Sequence, residues 1–205
     1  MKKVIYVISL LLLMFIIGLA VMASTAEKEY HIAREIDIHA ASGFVFSCLA
    51  SLEQMHKWSP WAELDPDMEV NILGNDGYPG AILEWSGNDK VGKGEQKLVQ
   101  KLPFQRVETH YTFFEPYKSE MDSYIEMGTS YGTTHVIWGI TGKNNFITRL
   151  YMAFTNKDMN KLMGKDLERG LENLKTMAQE RLYKAENERL VREQQKLDAA
   201  QSTAE

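Results

Sequence analysis

The sequence has little of the residues that punctuate or crosslink a chain: one cysteine, Cys48, five prolines and fourteen glycines in 205 residues. A single cysteine cannot form an intramolecular disulfide or build a thiolate zinc site. These unremarkable proline and glycine counts exclude collagen-like and low-complexity chains. At this length the chain has room for one domain of ordinary size.

Basic residues are also in the minority. The chain has 23 lysines and arginines against 28 acidic residues, a formal charge of −5 at pH 7. A protein that binds nucleic acid presents a basic face, so this balance argues against a nucleic-acid partner. The five histidines lack the spacing of metal ligands, and we expect neither a metal nor a cofactor.

One long hydrophobic run is present, at residues 4–23, directly after Lys2 and Lys3. As a helix it would be about 30 Å long, enough to cross the hydrocarbon core of a bilayer. A cleavable signal peptide usually has a shorter core of ~7–15 residues, although residues 21–23 would serve as a cleavage site. We therefore predict a membrane anchor or signal segment over residues 1–28, with the retained anchor preferred and an exported soluble domain as the alternative.

The charges that flank this run predict its orientation. Lys2 and Lys3 precede it and a mixed Glu-Lys-Glu triplet at 27–29 follows it, which places the N-terminus in the cytoplasm. The rest of the chain is then expected on the periplasmic side of the cytoplasmic membrane. This part carries 21 basic and 28 acidic residues. Anionic lipid should repel such a domain, so the anchor is expected to hold it at the membrane.

Alternation of apolar and polar residues predicts seven strands, at 29–38, 68–73, 81–86, 94–101, 106–114, 118–127 and 131–141. Their spacing and turn residues are typical of an antiparallel meander. Between the first two strands, Ser42 is expected to cap a short helix that runs through Leu49. Residues 52–57 could add another helical turn, which must end before Pro60.

The periodicity changes near Met159. Apolar residues then recur at intervals of three and four as far as Leu182, which predicts one long amphipathic helix. Gly164 and Gly170 lie inside it at a cost of ~1 kcal/mol each relative to alanine, so they are expected to permit close packing. Residues 186–205 are too polar for a coiled coil, and we predict a charged, solvated helical extension that frays into a disordered tail.

This order of elements predicts an α+β fold in which a curved antiparallel sheet of six or seven strands grips the long C-terminal helix and buries the apolar faces of both. Such a sheet tends to leave a gap beside the helix, and gaps of that kind bind small ligands.

Four motifs follow one another between Tyr30 and Glu180: residues 58–61 (WSPW) with Asp65-Pro66, residues 85–88 (WSGN) leading into 91–94 (VGKG), residues 132–138 (GTTHVIW), and residues 163–175 (MGKDLERGLENLK). In kind and order they resemble the START-like (SRPBCC) superfamily in its bacterial polyketide-cyclase/dehydrase-like branch. The resemblance implies a helix-grip domain, shared with birch-pollen allergen relatives, over residues 29–185. It also implies an internal cavity for a lipid or other hydrophobic small molecule.

Aromatic residues are the strongest candidates for the walls of that cavity, since they offer large contact areas to an apolar ligand. Trp58 and Trp61 bracket Pro60 in a loop and are expected to be structural. The predicted ligand-binding residues lie instead on strands of the sheet: Trp85, Tyr111, Phe113, Tyr124 and Trp138.

Glu84, His110 and His135 are the strand residues best suited to acid–base chemistry, but alternation with their neighbours favours the solvated face for all three. Cys48 has no histidine near it in sequence and no G-x-S-x-G occurs, so no catalytic residue is assigned. We expect a non-enzymatic binding domain. The alternatives are a cyclase or hydratase that uses general acid–base catalysis in the cavity, and an interaction module that recruits a protein partner through the long helix and tail.

Overall fold

The computed structural model describes residues 2–25, 27–155 and 157–204. The elements, in chain order, are α1 (Lys2–Thr25), β1 (Glu29–Ile38), α2 (Ser42–Cys48), α3 (Leu52–Trp58), a 3₁₀ turn (Ala62–Leu64), β2 (Glu69–Leu73), β3 (Ile82–Ser86), β4 (Lys93–Leu102), β5 (Arg106–Glu115), β6 (Ser119–Ser130), β7 (Thr133–Lys143), α4 (Phe146–Thr155) and α5 (Met159–Ala204).

The seven strands form one antiparallel sheet in the order β1-β7-β6-β5-β4-β3-β2. Strands that follow each other in sequence are neighbours from β2 to β7, and β1 closes the order by pairing with β7. The sheet curves around α5, and the predicted α+β helix-grip architecture is confirmed. Along β4 and β6 buried side chains alternate with more exposed ones, because one face of the sheet packs inward and the other meets solvent.

The first half of α5 supplies the gripped stripe. Leu167, Leu171, Leu174 and Ala178 recur every three or four residues and are at most 1% exposed. Gly170 allows close approach on this face, since a Cβ there would lie 2.5 Å from the ring of Trp138. The helix can therefore lie directly against the indole, as the glycine pattern predicted.

The structure corrects three local expectations. Ser42 is the first residue of α2, and Ala41 takes the cap position without a side-chain hydrogen bond. Helix α4 was not predicted. The expected fraying of the tail is wrong, because α5 continues as a helix to Ala204, although residues 183–202 are almost all exposed.

Helix α1 is long and apolar enough to cross a membrane: within residues 3–24 the most apolar stretch of 18 residues has a mean hydropathy of 3.0, and none of that stretch is buried. A signal sequence has the same properties. The helix leads into β1 after three residues and packs against α4.

Candidate functional site

A cavity of about 670 Å³ lies between the concave face of the sheet and the helices α3, α4 and α5. This volume falls within the range of ~300–1,000 Å³ that is typical of small-molecule sites. Four of the five predicted ligand-binding residues line it: Trp85, Tyr111, Phe113 and Trp138. The remaining walls come mainly from apolar side chains that include Met55, Met68, Leu83, Met121 and Met163.

Three tryptophans close the inner end of the cavity. Trp58 and Trp61 both stand edge-on to Trp138, with ring centroids 5.2 and 5.7 Å apart. The indole N–H of Trp58 donates to the carbonyl of Cys48, and that of Trp138 donates to Ser123 Oγ. Trp58 and Trp61 are thus structural, as expected, but they also form part of the wall.

A second aromatic group lies on β3 and β5. Trp85 is tilted against Phe113 and Tyr111, with centroids 5.5 and 6.3 Å away, and Tyr111 and Phe113 stack 6.3 Å apart. The indole N–H of Trp85 donates to the carbonyl of Val91. Gly94 on the neighbouring strand β4 leaves room for this indole, because a Cβ there would lie 2.5 Å from the Trp85 ring. With its N–H already bonded, the indole offers an apolar surface to a ligand.

Gln96 places a polar group in this apolar cavity. It points inward from β4, is 6% exposed, and its amide nitrogen Nε2 has no hydrogen-bond partner among the described residues. An unpaired buried donor costs about 1–3 kcal/mol. A ligand oxygen that accepts a hydrogen bond here would remove that cost. Sequence reasoning missed Gln96, although a glutamine at an inward position between Gly94 and Leu98 was a readable signal.

Two titratable side chains line the cavity wall. Burial lowers the pKa of the half-buried His56 imidazole, so the ring stays neutral near pH 7. Burial raises the pKa of the Tyr111 phenol well above its usual range, so this group also stays neutral. Neither residue has a carboxylate hydrogen-bonded to it among the described residues. The wall is therefore uncharged at neutral pH apart from its rim.

The rim consists of the exposed lining residues on three segments. The β3–β4 turn contributes Lys90, and α4 contributes Ile147 and Tyr151. The end of β5 contributes Glu115, and the turn after it contributes Tyr117. The cavity thus opens between two turns of the sheet and a helix that the sequence did not reveal.

Tyr124 does not line the cavity, which corrects the expectation for this residue. The inward residues of β6 are Met121, Ser123, Ile125 and Met127, so alternation turns Tyr124 to the outer face. There its hydroxyl lies 2.8 Å from His31 Nε2, and the guanidinium of Arg106 lies 4.5 Å from its ring centroid.

The three acid–base candidates lie on the outer face, as alternation predicted. Glu84 accepts a hydrogen bond from Asn71, His110 pairs with Asp122 at 2.7 Å, and His135 pairs with Asp37 at 2.8 Å. Within the described residues no group of three or more His, Cys, Asp or Glu side chains is placed to hold a metal ion.

Comparison with known proteins links the chain to solved structures through its fold. No family model matches the sequence, and no curated protein matches it. The structure is similar to Ara h 8.0201 (TM-score 0.51, 8% identity, covering 76% of this chain and 99% of that one). It is also similar to ginseng major latex-like protein 151 from Panax ginseng (0.50, 12%, 73% and 97%) and to a protein from Thermobifida fusca (0.53, 16%, 72% and 92%).

These similarities define the class of fold. The chain has the helix-grip fold of Bet v 1-like proteins, which is consistent with the START-like superfamily that the motifs suggested. At identities of 8–16% the likeness concerns architecture alone.

Proposed function

We propose that this protein binds a hydrophobic, lipid-like small molecule that carries at least one hydrogen-bond-accepting oxygen. The observation that supports this proposal is the 670 Å³ cavity, whose walls are aromatic and aliphatic and whose buried Gln96 has an unpaired Nε2. The apolar body of the ligand would lie between the tryptophans of the inner end and the aromatic group on β3 and β5. Its oxygen would accept from Gln96.

The hydrogen-bonding of the polar groups in the cavity wall favours a binding function over a catalytic one. The indole N–H groups of Trp58, Trp85 and Trp138 all donate to protein oxygens, so these residues present apolar surface. General acid–base chemistry would need a positioned base, and a neutral base is usually oriented by a second hydrogen-bonded group. Among the described residues the imidazole of His56 has no such partner.

A cyclase or hydratase of the polyketide-cyclase branch is the second candidate, and the position of His56 is the observation in its favour. The neutral imidazole lines the cavity, and such a ring can accept a proton from a bound substrate. Replacing His56 with glutamine separates the two functions. Loss of turnover of a cyclisable polyketide-like substrate with its binding unchanged would establish the enzyme and end the binding-only account.

Membrane attachment forms the second part of the proposal. We infer that α1 is retained as a single-pass anchor with the N-terminus in the cytoplasm and the domain on the outer side. Its length and the two lysines at its N-terminal end support this arrangement. N-terminal sequencing of protein extracted from membranes should find the first segment intact. A chain that begins at Ser24 would show signal cleavage instead.

The remaining alternative is an interaction module. In that case a protein partner would bind the exposed last part of α5. Tyr183, Leu190 and Leu197 recur every seven residues there and are all exposed. An interaction module would not need the cavity. A chain that binds a partner through this segment while its cavity takes up no ligand would favour that arrangement.

Ligand binding can be tested with the full chain kept soluble in an amphipathic polymer. A fluorescent long-chain fatty acid should saturate at one probe per chain and be displaced by the unlabelled acid. Leu83→Trp fills the cavity and should abolish saturable binding, whereas Glu84→Gln, on the next residue but on the outer face, should leave it unchanged. Equal binding by both variants would contradict the proposed site.

A further inference from the structure

Helix α4 carries an apolar face that the described chain leaves at least half exposed. Ile147, Tyr151 and Phe154 lie at intervals of four and three residues on that face and are 61%, 50% and 64% exposed. Met152 points inward and is buried. A short helix with exposed aromatic and aliphatic side chains on one side is costly in water and is typical of an interfacial helix.

The same helix borders the mouth of the cavity. Ile147 and Tyr151 are lining residues, and across the opening lies Tyr117, which is also strongly exposed. The apolar face of α4 therefore continues into the apolar interior. Whatever covers this face also covers the entrance.

The chain itself fixes how far α4 can lie from α1. Three residues separate α1 from β1, so four Cα steps, at most about 15 Å, join the two elements. The carbonyls of Glu27 and Lys28 accept hydrogen bonds from the side chain and the backbone of Asn144, at 3.0 and 2.8 Å. Asn144 stands two residues before α4, and α4 packs against α1.

Local charge suits a lipid surface even though the whole domain is acidic. Residues 143–161 contain four cations, Lys143, Arg149, Lys157 and Lys161, against one acid, Asp158. Lys143 lies 4.0 Å from Glu29 and the Nε of Arg149 is buried, so Lys157 and Lys161 carry most of the local positive charge that faces outward. Basic residues beside an apolar helix face favour adsorption to anionic headgroups. The charge balance of this segment is therefore opposite in sign to the net charge of the domain.

We propose that α4 lies in the interface of the bilayer that α1 spans, so that the mouth of the cavity opens onto lipid and a hydrophobic ligand enters from the membrane. The proposal rests on the proposed function for its ligand and on the retention of α1. The occupant of the apolar face is the membrane, because the short connection leaves no room for α1 to enter a bilayer while α4 stays far from it.

The position of α4 can be tested with the full chain in nanodiscs of phosphatidylcholine and phosphatidylglycerol. A polarity-sensitive fluorophore is attached at Phe154→Cys or, as a matched control, at Tyr183→Cys. Tyr183 is an exposed aromatic residue 24 positions beyond the start of α5, about 36 Å along the helix. Cys48 is buried and does not compete for the label.

Spin-labelled lipid should quench the probe at position 154 and leave the probe at 183 unquenched. Equal quenching at both positions, or none at 154, would overturn the proposal. Binding of the fluorescent fatty acid is measured on the same samples. An unquenched probe at 154 with normal binding refutes only the membrane-facing mouth, while quenching at 154 without binding refutes only the ligand.

Entry of the ligand from the membrane can be tested separately, by the rate at which the protein takes up the fluorescent fatty acid from vesicles. Phe154→Asp places a charge on the interfacial face but outside the cavity lining. Loading of the fluorescent fatty acid from vesicles should slow about tenfold, since a lost aromatic anchor weakens interfacial binding by at least that factor. Affinity in the amphipathic polymer should stay within about twofold. Unchanged loading would contradict entry through this face.

Discussion

The two ends of the cavity are built differently. At the inner end Trp58 and Trp138 are 3% and 2% exposed, their N–H groups are bonded to protein oxygens, and Gly170 brings α5 against the indole. At the mouth Ile147 and the other rim residues are largely exposed. The same side chains that form the fold's core also form the inner wall, whereas the mouth lies outside the core.

This difference suggests that the inner end of the cavity holds the ligand and that the mouth controls its entry. A wall made of core residues is rigid, because buried side chains in close packing have few alternative rotamers. A mouth made of exposed side chains can change with little cost to the fold. Substitutions at the inner end should therefore affect stability and binding together, while those at the mouth should affect binding or loading alone.

The largest effect is expected where α5 supports the inner end. Leu171→Ala should lower the free energy of unfolding by about 2–5 kcal/mol, because the truncation leaves a cavity in the core. Leu197→Ala, on the exposed part of the same helix, should cost about 0.5 kcal/mol or less. Denaturant unfolding of the full chain in detergent measures both. Similar losses would mean that the tail packs on the domain or on a partner.

The next effect tests whether the inner wall serves both fold and ligand. Trp138→Leu should destabilise the chain by roughly 2–4 kcal/mol, since it removes ring contacts and the hydrogen bond to Ser123 Oγ. It should also weaken binding of the fluorescent fatty acid about tenfold. Tyr151→Leu at the mouth should change stability by less than about 0.5 kcal/mol. If Trp138→Leu bound the probe normally, the ligand would not reach the inner end.

A smaller effect should distinguish the polar group of the wall from its apolar surroundings. Gln96→Leu should weaken binding of a fatty acid by about 0.5–1.5 kcal/mol, the usual net value of one hydrogen bond. Binding of an alkane of equal length should not weaken, and stability should not fall, because the variant removes an unpaired buried donor. Titration calorimetry with the fatty acid and the alkane would measure the two changes in binding free energy. An equal loss for acid and alkane would indicate a purely steric effect.

The smallest expected effect is a pH dependence from His56. Burial holds its pKa in the folded chain below the ordinary value of 6.5. As pH falls below 6.5 the unfolded chain binds a proton that the folded chain does not, so stability decreases toward acid. His56→Gln should flatten the slope of unfolding free energy between neutral pH and pH 5. An unchanged slope would assign the acid sensitivity to other groups.

Sequence patterns predicted the strands because alternation and turn residues are local signals, and they predicted the gripped half of α5 because its stripe spans several turns. Helix α4 was missed because it is only ten residues long and rich in aromatic and β-branched side chains, which favour helices less than unbranched ones. Tyr124 was misplaced because it was chosen as an aromatic residue without its register on β6. The inward position of Gln96 follows from the alternation on β4 and was overlooked, but only the assembled cavity shows that its amide nitrogen is unpaired.

The central claim, that the cavity holds a hydrophobic molecule, is tested most directly by native mass spectrometry of the full chain purified in mild detergent from its own host. The account predicts one retained small molecule per chain in the unmodified protein and in Glu84→Gln, and none in the cavity-filling Leu83→Trp. A mass equal to that of the polypeptide alone in all three proteins would contradict it.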